Sequence, residues 1–216
     1  MVQEKEMQFP LNTLKFNKSK FFVTACGALI LNSLISSGLC QTVGNYWYPQ
    51  SIALPANHRY PCTLNPLPRD LTGIPQSEKL YIDHAFSLLL KMLQAKIVMF
   101  DTVSWDNQQY NSAYSSYYSS TISARQKFLQ LVAPKGLEGF RNDVVNGLDK
   151  QVVFFQKAAQ MRLQGKSAQD IMSIPEGKLA SSLYISAWQK ISSRYPNMST
   201  SVKDSMYHHL CALDIF

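Results

Sequence analysis

Proline divides the chain into two conformational regimes. Six of the ten prolines (Pro49, Pro55, Pro61, Pro66, Pro68 and Pro75) lie between residues 49 and 75, and only Pro134, Pro175 and Pro196 follow them. Each proline fixes φ and removes a backbone donor, so that stretch is barred from helix and is poor sheet. It is expected to run as an extended arm of turns and polyproline-like pieces, with Tyr46, Trp47, Tyr48, Ile52, Leu54, Leu64, Leu67 and Leu71 as apolar contacts. The reading is an arm wrapped on the domain and ordered from about Tyr60 onward.

From Ser77 onward apolar residues recur at spacings of three and four, which is helical periodicity. A first helix is predicted over 77–103, where Leu80, Phe86, Leu89, Leu90, Leu93, Ile97 and Phe100 crowd most of the circumference, as in a central helix. A second is predicted over 105–132, ending at Pro134. A third, opened by Lys135–Gly136 and stopped by Gly165, carries Phe140, Val144, Leu148, Val152, Phe155 and Met161. Ser167 with Asp170 reads as a capping box for a short turn. Pro175 then starts a helix with the stripe Leu179, Leu183, Ala187, Trp188 and Ile191, ending before Pro196. Ser201 with Asp204 reads as a second capping box, and the last helix carries Val202, Met206, Leu210 and Leu213. No stretch alternates with period two between turn signals. The expected fold is all-α: a bundle of four to five main helices over 77–216, preceded by the proline-rich arm at 41–76.

Ahead of the arm, Lys15, Lys18 and Lys20 lead into the uncharged run Phe21–Ile35, and Ser36, Ser37 and Gly38 follow. A basic region, an apolar run and a small-residue exit make the layout of a secretory signal, so residues 1–40 are read as an export leader. Cleavage after Gly38 or after Cys40 both place small residues at the two recognised positions. Phe21–Leu39 is also close to the length of a membrane span, and the lysine bias would hold a retained anchor with the domain outside. The expected destination is the periplasm, the cell envelope or the medium, with membrane contact only through a retained leader.

Composition narrows the function classes. Hydrophobic residues make up 46% of the 216 and charged residues 16%, enough apolar surface to offset the ordering entropy of a packed domain. The formal charge is +7. With the four lysines and two glutamates of residues 1–40 set aside, 17 basic and 12 acidic residues leave +5. These charges are scattered, not clustered as a nucleic-acid footprint requires, so no nucleic-acid partner is expected. No phosphate-cradling glycine loop, nucleophile elbow, zinc-protease helix or C-x-x-C motif is present, and no cofactor is expected.

Cys62 and Cys211 remain once Cys26 and Cys40 leave with the leader, and an oxidising compartment makes them a disulfide. Closing a loop of about 150 residues is worth roughly 4–5 kcal/mol in the chain-entropy treatment. Two imidazoles flank the same sulfurs, so His58, Cys62, His208 and Cys211 form an alternative tetrahedral zinc set. His208 and His209, one turn after Asp204, are candidates for a pH-sensitive patch. Asp83–His84 reads as a hydrogen-bonded rim or core pair, with catalysis as the alternative. The segment Asn107–Ser123 mixes Tyr, Ser and Asn, the palette of adaptable recognition surfaces. Tyr110, Tyr114, Tyr117 and Tyr118 are its candidate contact residues; as the alternative, the first three pack inward on one face and Tyr118 stays open as a contact.

Together these features point to an exported, non-catalytic protein acting through a protein partner. A small-molecule or metal-binding helical bundle is the alternative, and an exported enzyme of unfamiliar type is a third reading.

Overall fold

Among the described residues, six helices follow one another along the chain. The computed structural model describes Tyr48 and residues 64–101 and 107–214. The helices are α1 (Gln76–Asp101), α2 (Asn107–Gln130), α3 (Glu138–Leu163), α4 (Ala168–Met172), α5 (Pro175–Arg194) and α6 (Thr200–Asp214). Among the described residues there is no strand, and no helix is long and apolar enough to cross a membrane. The leader, His58 and Cys62 lie outside the described residues.

Local chemistry sets most of the helix ends. Gly165, at φ +70°, closes α3: Lys166 N–H donates to the Met161 carbonyl and Gly165 N–H to the Arg162 carbonyl, each at 3.0 Å. This paired pattern satisfies carbonyls that the last turn would otherwise leave open. Ser167 and Asp170 form the reciprocal capping box that starts α4, and Pro175 opens α5. The second predicted box is displaced. Ser199, not Ser201, caps α6: its carbonyl accepts from Lys203 N–H at 2.9 Å and its hydroxyl from Val202 N–H at 3.4 Å. Three consecutive hydroxyl residues, Ser199–Ser201, all qualify as caps by type, and the helix begins directly after the first.

Packing pairs α3 with α5, α1 with α2, α5 with α6 and α1 with α6. The α1 stripe from Phe86 to Ile97 is buried, but Leu80 points outward. The α5 stripe is rotated from its predicted position. Its inner face is Gly177, Ala180, Tyr184, Ala187 and Ile191, while Leu179 lies exposed. Small residues let α5 approach α3 closely. A Cβ added at Gly147 of α3 would lie 2.5 Å from Tyr184 Cε1, inside any tolerable contact.

The arm from residue 64 to 75 runs without helix and buries Leu64, Leu67, Leu71 and Ile74. It seats on α6 and the loop before it. Ser205 Oγ donates to the Asn65 carbonyl at 2.9 Å, and Ser199 N–H donates to the Thr72 carbonyl at 3.1 Å. Gly73, at φ +90°, passes so close to Asn197 that an added Cβ would sit 2.2 Å from its carbonyl oxygen.

Candidate functional site

The residues singled out by type divide into structural anchors and groove linings. His209 is an anchor. It is fully buried on α6, with Nδ1 2.7 Å from the Ser205 carbonyl and Nε2 2.6 Å from the Tyr48 hydroxyl. A carbonyl only accepts, so Nδ1 carries the proton and Nε2 accepts from Tyr48. Burial lowers the His209 pKa to about 4, so the ring is neutral at ordinary pH. His208, half-buried, meets Asn65 Nδ2 at 3.2 Å. The two histidines therefore do not form a shared surface patch, because adjacent helix positions point about 100° apart.

Asp83 and His84 diverge for the same reason. Asp83 is buried and accepts the Tyr48 N–H at 3.2 Å, whereas His84 lines a surface groove. Tyr48 thus bridges α1 and α6, through its backbone to one and its hydroxyl to the other.

A second buried polar cluster closes the end of α6. Lys96 is fully buried and donates to the Leu213 carbonyl at 2.8 Å and the Ala212 carbonyl at 3.3 Å. A cation there meets the negative end of the helix dipole. Gln151 Nε2 donates to the same Leu213 oxygen at 2.6 Å, and its Oε1 accepts from Tyr117 at 2.8 Å. Near the start of α1, Glu78 binds Arg194 and Tyr195, and the Arg194 contact holds its carboxyl below the usual range. Desolvation is offset in each case by specific partners.

The tyrosines of α2 sort by depth. Tyr117 is fully buried and Tyr110 is buried, Tyr114 is half-buried, and Tyr118 is 37% exposed. The rings of Tyr110, Tyr114 and Tyr118 follow one another at 6.3 Å steps, and the Arg162 guanidinium lies 4.6 Å from the Tyr110 ring. The helical four-residue spacing makes this ladder; Tyr117 stands inside it. Of the four, Tyr118 is the one that faces outward. Of the suggested metal set, His208 and Cys211 lie on α6, and among the described residues no group of three or more potential ligands converges.

Among the described residues, two surface grooves stand out. One follows α5 beside the end of α6, as adjoining hollows of about 440 and 190 Å³ that share Ile185 and Asp214. Phe154, Trp188 and Leu210 contribute to its walls. Met172, Ile185 and Tyr207 border it at 52%, 50% and 48% exposure, and the Trp188 and Tyr207 rings meet edge to face at 5.4 Å. Burial pushes the Asp214 carboxyl up. The other groove lies between α1 and α2, as hollows of about 460 and 240 Å³ that share Leu88, Lys91 and Lys127. Neither groove was visible as a motif, because each is lined by side chains of separate helices that no local sequence pattern places together. The available signal was Gly177, Ala180 and Ala187, small residues at helical spacing that mark the closely packed face of α5 and turn Leu179 outward.

Compared with known proteins, the chain matches no family model, no curated protein and no solved structure.

Proposed function

We infer that this is an exported contact protein that holds an amphipathic helix of a partner protein in the α5–α6 groove. The carrying observation is the row of half-exposed apolar side chains, Met172, Ile185 and Tyr207, bordering a hollow with aromatic walls. Soluble surfaces rarely present contiguous large apolar groups without a use for them. From Gly177 to Trp188 the groove follows about 16 Å of α5, the length of about three helical turns. Aromatic anchors beside a cleft match the helix-in-groove mode of recognition, in which apolar residues spaced three and four apart supply the contacts.

Export is supported by the leader at 1–40 and by the Cys62–Cys211 pair read from the sequence. The partner is a protein, with no cofactor and no nucleic acid in the reading. The test places a photo-cross-linking residue at Ile185 of the full chain in the cells that make it, with Lys166 as control. A discrete protein adduct from position 185, lost with Tyr207→Glu and absent from 166, is the expected result. Adducts equally abundant from both positions, or none from 185, overturn the groove. Peptide mapping of the same material tests the address: a start after residue 38 or 40 and a Cys62–Cys211 linkage are expected, and a cytosolic chain that still begins at Met1 removes the exported reading.

A further inference from the structure

The α1–α2 groove differs from the α5–α6 groove in charge and in what lies at its base. Leu88, Leu90 and Leu131 give it apolar walls, and Lys91 and Lys127, both exposed, stand over the shared part of its two hollows. Among the described lining residues there is no carboxylate. At about 460 Å³ the larger hollow falls within the ~300–1,000 Å³ range of small-molecule sites.

Ser87 supplies an independent observation. Ser87 is among the residues lining the larger hollow, is 8% exposed, and its hydroxyl has no hydrogen-bond partner among the described residues. A buried hydroxyl without a partner carries an uncompensated desolvation cost, and such groups call for an explanation. A ligand with a polar head that enters between the lysines provides one.

We propose that the α1–α2 groove binds a single-chain anionic amphiphile of the fatty-carboxylate class, its alkyl chain along Leu88, Leu90 and Leu131 and its carboxylate between Lys91 and Lys127. The pairing of an apolar channel with two cations and no acid selects this chemistry. A neutral apolar molecule leaves the lysines unused, and a small anion leaves the channel unfilled. Ser87, in the wall of the hollow, supplies the donor for an oxygen of the head group. This site is separate from the partner groove and stands or falls without it.

Calorimetric titration of the folded full chain tests the proposal, with dodecanoate below its micelle concentration as the probe and dodecanol and acetate as separate arms. Saturable binding of dodecanoate is expected, with dodecanol and acetate each weaker by about tenfold or more. The paired substitution Lys91→Glu with Lys127→Glu should weaken dodecanoate by about tenfold or more and leave dodecanol unchanged. Should glutamates disturb the helices by circular dichroism, Lys91→Gln with Lys127→Gln carries the same expectation. Acetate binding as tightly as dodecanoate reduces the site to a plain anion site and overturns the proposal. Dodecanol binding as tightly, no saturable dodecanoate binding, or a paired variant with undiminished affinity overturns it equally.

Discussion

The α3–α5 seam around Gly147 and the α1–α2 seam are built from helices of similar length, yet at Gly147 one is closed while the other stands open. Along α3–α5, Gly147 receives the Tyr184 ring, and Gly177, Ala180 and Ala187 keep the facing side of α5 thin. Along α1–α2, leucines and lysines hold space between the helices and leave a groove of several hundred cubic ångströms. Side-chain size along a seam therefore decides whether two helices make core or make a site. Closing one seam also turns its larger residues outward: Leu179 and Ile185 are exposed because the small residues of α5 occupy its inner face. The α1–α6 seam is closed differently, with a neutral His209 and Tyr48 in place of small residues.

Adding bulk should separate the two seams most sharply. Gly147→Val forces side-chain carbons into the Tyr184 ring and is expected to cost about 3 kcal/mol or more, read as a lowered midpoint in urea denaturation. An unchanged midpoint would mean that the seam is loose and the comparison false.

Acid probes the third kind of seam. The folded-state pKa of His209 is lowered to about 4 from an ordinary value near 6.5, so the unfolded chain binds the proton more readily. Stability from this group is present above pH ~6.5 and is lost as pH falls toward 4, by up to about 3 kcal/mol. Tyr48 and His208 act on its ring, and Tyr48 hydrogen-bonds its Nε2 in the neutral form. His209→Gln should flatten this part of the stability profile; a profile of unchanged slope would remove His209 as its cause.

Smaller changes sharpen the contrast on the open side. Ser87→Ala removes a buried hydroxyl that has no partner among the described residues and is expected to stabilise the unliganded protein by about 1 kcal/mol, measured as a raised thermal midpoint. A lowered midpoint would show that the hydroxyl is satisfied and the groove less strained than its geometry indicates. Leu179→Lys, on the outward face of α5, should change stability by less than about 0.5 kcal/mol. A larger loss would place Leu179 in the core, where its periodicity first put it.

The helices were legible because proline, glycine and apolar spacing act locally: Pro134, Gly165, Pro175 and Pro196 each stand at a boundary that the chain respects. Helix faces were legible only where large apolar residues face the core, as in α6. On α5 the rule failed, since close packing against α3 favours Gly and Ala, which carry no hydrophobic signature. The buried partners of His209 and Lys96 were illegible for another reason. Tyr48 and His209 are 161 positions apart, and Lys96 and Leu213 are 117 apart, so no window of local pattern contains either pair. Of the candidate surfaces, the Tyr/Ser helix α2 was legible in its spacing, which sets Tyr110 and Tyr117 inward and Tyr118 outward, while Tyr114 is only half-buried.

The seating of the arm on α6 has a consequence for the order in which the molecule assembles. Asn65, Thr72 and Gly73 meet residues 197–205, and Tyr48 meets His209, all across more than a hundred positions of intervening chain. A chain emerging from the ribosome or a translocation pore with its N-terminus first presents the arm long before its seat is made. Leu64, Leu67 and Leu71 must then wait uncovered while α1 to α5 form, and non-local closure of this kind is slow. The arm is the first part of the domain to appear and among the last to find its place, which makes that waiting interval the time when a chaperone or a protease would meet this chain.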